Sequence, residues 1–268
     1  MSRKDEYYNR AKQEDYRARS AYKLKQLDAD SGLFGPGNTV VDLGSAPGGW
    51  LQVAAEEVGK TGTVIGVDRQ RIKPIQNETV ECLRGDLTEP QTIEQIEATV
   101  GGSTVDVVLS DMAPNMTGEY NVDHARSIYL ARQAFTVADA LLCAGGDFVA
   151  KVFDGRDLDA FLSDIEDEFQ YLRQMRPSAS RDSSSELYII GKHRITAPVS
   201  EDDIVDVVIT DIGSQGDGVA KIDDYTVFVE GATQGDSIRV RITDVKPDFA
   251  FATAVDSDGE AKDTRSSG

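Results

Sequence analysis

The run "VVDLGSAPGGWLQVAAEEVG", residues 40–59, constrains this chain more than any other stretch. Apolar and carboxylate positions lead straight into a cluster of small residues, and a segment with helical spacing of apolar side chains follows at once. That is the signature of a strand turning into a helix at a seam where the backbone must stay bare. Gly44, Ser45, Ala46, Gly48 and Gly49 supply the bareness, with Pro47 among them, so the pattern is not the dinucleotide fingerprint G-x-G-x-x-G. In open parallel sheets such a turn lies beyond the carboxyl end of the first strand, where ligands bind.

The flanking sequence extends this unit. Residues 38–44, 63–68, 80–86 and 105–111 are short, Val-rich apolar runs ending in Asp or Gly, as buried parallel strands do. Helical patterns fall at 48–58, 91–99, 123–143 and 157–169, with Asp157 near the start of the last. Further strands read at 146–153, in "YLRQMRP" and in "SSELYIIGK", closing the unit near residue 192. This alternation predicts an α/β domain over 1–197, a Rossmann-like, mostly parallel sheet with flanking helices. After "RITAPVS" the texture changes to short alternating runs between Gly- and Asp-rich turns, which predicts a small all-β, OB-like barrel over 198–257. The polar tail 258–268 reads as disordered.

Acids frame the glycine turn. Asp42 precedes it, Asp68 ends the second strand, Asp86 follows the third and Asp111 the fourth. They would repel a pyrophosphate and favour a cationic ligand carrying a ribose and an adenine. S-adenosylmethionine fits, with Asp68 placed for the ribose hydroxyls, Asp86 for the adenine amino group and Trp50 either as a pocket wall or as a core residue.

Charge adds a second constraint. Asp and Glu number 47 against 28 Lys and Arg, a net −19 spread along the chain, the solvated and self-repelling surface used by halophiles. The segment 1–25 departs from this, with eight cations, four anions and the interleaved Tyr7, Tyr8, Tyr16 and Tyr22. A basic arm of this kind suits a strand of RNA, by ion pairs to phosphate and stacking on bases. No apolar run approaches the roughly 18 residues of a membrane span, and the N-terminal twenty residues lack the apolar core of a secretory signal. Cys82 and Cys143 are too few for a disulfide framework and lack metal-site spacing. A cytoplasmic protein without a metal is expected. His124 and His193 sit away from the strand ends that face the turn and are left out of the site.

"RARSAYKLKQLD", "VVDLGSAPGGW", "SDMAPN", "FVAKVF" and "SSELYII", in this order, resemble the RlmE/FtsJ-type ribosomal RNA 2′-O-ribose methyltransferases over residues 5–192. The resemblance implies a Lys-Asp-Lys-Glu tetrad around the target ribose, here Lys23, Asp111, Lys151 and Glu186. It also implies S-adenosylmethionine contacts from Gly48, Trp50, Asp68, Asp86 and Asp111, and a uridine of large-subunit ribosomal RNA as substrate. A sulfonium methyl is already activated, so the protein needs to align the 2′-oxygen and take or share its proton. Lys151 is assigned as base or proton acceptor, Lys23 and Glu186 as positioning groups, and Asp111 as the bridge between cofactor and substrate. A transfer-RNA methylase, and a non-catalytic ribosome-assembly factor binding RNA, remain the alternatives.

Residues 198–257 resemble a TRAM domain, a β-barrel attached to RNA-modifying enzymes. Residues 199–268 hold sixteen anions and six cations, so any basic face must be local, from Lys221, Arg239, Arg241 and Lys246. In salt-rich surroundings stacking by Tyr225, Phe228, Phe249 or Phe251 matters more, although a barrel core accounts for two or more of these rings. Oligomeric state is not legible.

Overall fold

The computed structural model describes residues 3–180, 185–223 and 225–255, with side chains from Tyr7 onward. It divides into two compact units between Arg194 and Ile195. The tail 258–268 lies outside the described residues.

In the first unit β1 (Thr39–Leu43), β2 (Thr63–Asp68), β3 (Val80–Arg84), β4 (Val105–Ser110) and β5 (Leu142–Phe153) run parallel. β6 (Phe169–Met175) and β7 (Glu186–Arg194) complete a seven-stranded sheet in the order β3-β2-β1-β4-β5-β7-β6, with β7 antiparallel to both neighbours. This is the Rossmann-like, mostly parallel sheet the alternation predicts. All five residues of β1 are buried, which is why that strand shows no polar alternation. Strand order reverses beside β1, and the crevice between the carboxyl ends of β1 and β4 opens there.

Helices α1 (Arg3–Gln13), α2 (Ala21–Ser31) and α3 (Gly49–Val58) cover one face of the sheet. Helices α4 (Pro90–Val100), α5 (Tyr120–Leu141) and α6 (Leu158–Ile165) cover the other. Leu51, Ala54, Ala55 and Val58 fall at helical spacing and bury one stripe of α3. Pro90 starts α4 and Gly101, at φ +66°, ends it. The last helix is shorter than its pattern suggests. It stops at Ile165, a short 3-10 turn follows, and Phe169 already begins β6, where it stacks on Phe148.

From Tyr7 onward the basic arm packs against the protein as α1, the start of α2 and the turn between them. Tyr7 and Tyr16 both lie against Tyr22, Tyr16 donates to the Glu56 carboxylate at 2.5 Å, and of the four tyrosines only Tyr8 is mostly exposed. Arg10 pairs with Glu14 and covers the Tyr22 ring, and Lys25 covers Tyr16. The expectation that these rings stack on bases is therefore corrected for three of them. An aromatic ring gains more from burial than an exposed helix can offer it.

The second unit is a six-stranded sheet of β8 (Ile204–Val208), β9 (Asp211–Ile212), β10 (Gly218–Ile222), β11 (Tyr225–Val229), β12 (Ser237–Val245) and β13 (Phe249–Ala254). Its order is β8-β12-β13-β11-β10-β9. The sheet curls until Thr210, just past β8, donates its N–H to the Val219 carbonyl of β10, giving a curled half-barrel. Alternation along β11 and β13 turns Tyr225, Val227, Ala250 and Ala252 inward, and Phe228, Phe249 and Phe251 to the other face. Those three rings touch one another, with centroids 5.4, 5.7 and 5.9 Å apart, so only Tyr225 of the four is a core residue. The expected basic face is largely neutralised. Arg239 binds Asp206, Arg241 approaches Asp202 and Lys246 binds Asp244.

Candidate active site

The side chains that converge do so because strand residues alternate faces. Asp42 of β1, Asp68 at the end of β2, Asp111 just past β4, and Lys151 of β5 all fall on the sheet face covered by α1–α3. Glu186 and Tyr188 of β7 fall there too, Tyr188 directly opposite Lys151 in register. The four residues expected around the ribose form two ion pairs. Lys23, from α2, donates to Glu186 Oε1 at 2.5 Å, and Lys151 donates to Asp111 Oδ1 at 2.8 Å and also to the Asp111 carbonyl. Lys23, Lys151 and Glu186 are each less than a tenth exposed.

Tyr188 joins the pairs. Its hydroxyl donates to Asp111 Oδ1 at 2.7 Å and its ring lies 5.7 Å beneath the Lys23 ammonium. Burial alone would raise the Asp111 pKa. The Lys151 and Lys23 charges, with hydrogen bonds from Lys151 and Tyr188, outweigh it and hold the carboxyl below its usual range. The sequence reading missed Tyr188. Its signal was present, since it stands two residues from Glu186 and so shares that residue's face of the strand. Ser180 was missed as well, and its hydroxyl donates to Glu186 Oε1 at 2.7 Å.

The glycine turn is bare because protein surrounds it closely. Gly44 at φ +74° and Gly48 at φ +107° hold left-handed conformations that favour glycine. A Cβ on Gly44 would fall 2.3 Å from the Met112 side chain, and one on Gly48 only 3.2 Å from Arg17 and from Ile75. Asp68 fixes the turn, accepting from the Ala46 N–H at 3.0 Å and from the Gln70 N–H at 2.7 Å. Asp86 accepts from the Thr88 N–H and hydroxyl and pairs with Arg69; the Thr88 N–H first among these lowers its pKa.

The Trp50 side chain takes the second of its two expected places, the core. It is 3% exposed, its indole N–H donates to the Ser20 carbonyl at 2.8 Å, and its ring lies 5.8 Å from that of Tyr188. It belongs to the core and packs beside Tyr188, because the indole gains most where its large face is covered and its one donor is satisfied. His124 and His193 stay outside the constellation. His124 is buried in α5, where its ring binds the Phe153 carbonyl and accepts from the Asp157 N–H.

Asp42 is 1% exposed and its Oδ2 has no hydrogen-bond partner among the described residues. Burial, then the charges of Asp111 and Asp68, push its pKa well above the usual carboxylate range. The folded protein thus holds a proton that the unfolded chain releases near pH 3.9. Stability falls as pH rises from that value through the raised one. Asp42→Asn removes this dependence, so the variant should gain stability relative to the parent as pH rises. Thermal unfolding between pH 4 and 8 checks it, and parallel curves for the two proteins would show Asp42 ionised in the fold.

An FtsJ-like methyltransferase family model matches residues 16–194 and a TRAM domain model matches 199–255. The chain is 63% identical over 256 residues to the ribosomal RNA large subunit methyltransferase E of Haloquadratum walsbyi, covering 96% of this chain and 100% of that one. It is 62% identical to the protein of that name from Haloarcula marismortui and 47% identical to the one from Methanothrix thermoacetophila, over 96% and 94% of this chain and 100% and 97% of those. A crystal structure from Plasmodium falciparum, titled as a ribosomal RNA methyltransferase, shares the fold at a TM-score of 0.60 and 24% identity, covering 67% of this chain and 98% of that one. The chain therefore belongs to the FtsJ-like methyltransferase family, with a TRAM domain following the methyltransferase domain.

Proposed function

We propose that this protein transfers a methyl group from S-adenosylmethionine to the 2′-oxygen of a ribose, at a uridine of large-subunit ribosomal RNA. The observation that carries the reading is the pair of buried lysine–carboxylate contacts joined through Tyr188 beside the glycine turn. The names of the relatives support the choice of RNA.

The residues fit the cofactor. Asp42 Oδ2 and Ser45 Oγ are buried polar atoms without a partner among the described residues, at the end of β1 and in the turn itself. The surrounding acids, Asp68, Asp86 and Asp111, suit a ligand bearing positive charge, and Asp68 and Asp86 are both partly exposed at strand ends. When bound, S-adenosylmethionine supplies a methyl already activated by its sulfonium.

The chain's own residues supply orientation and proton transfer. Glu186 fixes the Lys23 ammonium, which hydrogen-bonds the ribose and holds the 2′-oxygen in line. Lys151 is the group that accepts the 2′-hydroxyl proton, and Asp111 keeps its nitrogen aimed from the carboxyl end of β4. The Phe228, Phe249 and Phe251 cluster gives the second unit a face on which bases can stack, worth about 1–3 kcal/mol per base even where salt screens ion pairs.

Mapping 2′-O-methylated nucleotides in RNA from a strain lacking the gene tests the whole reading. The expected result is loss of methylation at one uridine of large-subunit ribosomal RNA, restored by the wild-type gene. Loss confined to transfer RNA would change the substrate. An unchanged methylation map with stalled subunits would point to an assembly factor.

A further inference from the structure

The cation at position 17, counted above with the basic arm, faces the protein. Arg17 Nη1 donates to the Pro47 carbonyl at 3.2 Å and to that of Lys73, and Nη2 donates to the Pro74 carbonyl at 2.6 Å. Pro47 belongs to the glycine turn, while Lys73 and Pro74 belong to the loop after β2, whose first residues follow Asp68. One guanidinium thus ties the glycine turn to the loop after β2.

Its own backbone is fixed with equal care. The Arg17 N–H donates to Gln52 Oε1 at 2.8 Å, and Gln52 Nε2 returns a bond to the Asp15 carbonyl at 2.9 Å. A Cβ on Gly49 would fall 3.1 Å from Ala18 Cβ, and Ser20 receives the Trp50 indole N–H. Residues 15–20 therefore lie along the first turn of α3 as a collar. Gly48 stays a glycine on this side because Arg17 and Ile75 occupy the space a side chain would need.

From this geometry we infer that Arg17 is a positioning residue for the cofactor: its fork holds the Pro47–Gly48 turn against the loop carrying Lys73 and Pro74, so that the pocket is preformed before ligand arrives. The inference rests on the methyl-transfer reading. The planar guanidinium suits the task, since it can reach three carbonyls at fixed angles where a lysine reaches one. Such short contacts also persist at ionic strengths that screen an arm's attraction to phosphate.

The test compares wild type, Arg17→Met and Arg17→Lys in the full chain. Binding of S-adenosylhomocysteine is followed by calorimetry, RNA binding by salt titration, and amide exchange is read at 44–52 and 70–76. Arg17→Met should weaken S-adenosylhomocysteine about tenfold, speed exchange in both segments and leave RNA affinity within about twofold. Initial rates should show a raised KM for the cofactor with kcat nearly unchanged. Arg17→Lys keeps the charge and loses the fork, so intermediate affinity is expected and carries the test if the methionine variant fails to fold. Unchanged S-adenosylhomocysteine affinity in both variants, or a loss of RNA affinity that lysine restores in full, would overturn the assignment and make Arg17 a phosphate contact. A wild-type protein that bound no S-adenosylhomocysteine would overturn the methyl-transfer reading itself, a different failure from an unaffected variant.

Discussion

Lys151→Ala should lower methyl transfer about a thousandfold or more while S-adenosylhomocysteine binds nearly as before. The lysine is 7% exposed at the carboxyl end of β5, with its nitrogen held by the carboxylate and the carbonyl of Asp111. Removing it takes away the proton acceptor. Asp111 keeps the Tyr188 hydroxyl and the nearby Lys23 charge, so the carboxylate is not stranded. Single-turnover methylation of a short RNA measures the loss. Lys151→Arg separates two roles, since a guanidinium keeps the charge and cannot be deprotonated in a protein. Recovery of activity in the arginine variant would make Lys151 an electrostatic anchor and remove it from proton transfer.

The second large effect is on stability. The Lys23–Glu186 pair is buried on both sides, with side chains 8% and 11% exposed, so Glu186→Ala leaves a buried ammonium without its carboxylate. Removing one partner of such a pair costs about 3–5 kcal/mol, a fall of roughly 10 °C in Tm for a unit of this size. Replacing both, as Lys23→Met with Glu186→Leu, removes the stranded charge and should restore most of the loss, because apolar residues of similar volume tolerate the site. The doubly substituted protein is then stable and inactive, which separates folding from catalysis. If it methylated RNA at the wild-type rate, the pair would be purely structural.

Both expectations use residues that the resemblance of their motifs to the family implies, and their placement on one face of the sheet is a local property of the strands. Lys151 and Asp111 close β-strand runs whose apolar pattern fixes strand and face together. Glu186 starts another, and a period of two carries its neighbours with it. The glycine turn was legible for the same reason, since only a strand–helix seam calls for that many small residues in one place. The outer limits of helices were less so. Phe169 reads as the last apolar position of α6 yet opens β6, because pairing with Arg194 and stacking on Phe148 offer it more than another helical turn.

By itself the sequence determined the parallel sheet, the bare turn and the acids at the strand ends, all of them properties of short windows with a fixed period, while the two lysines followed from the resemblance of their motifs to the family. Tertiary structure alone decided what each surface-type residue faces. It turned Tyr7, Tyr16 and Tyr22 inward, set Trp50 in the core, and left Phe228, Phe249 and Phe251 on an outer face. It also bent Arg17 back over the glycine turn. A side chain's type states what it can bond to. Which partner it meets depends on segments far away in the chain, and burial free energy chooses among them only when the whole unit has closed.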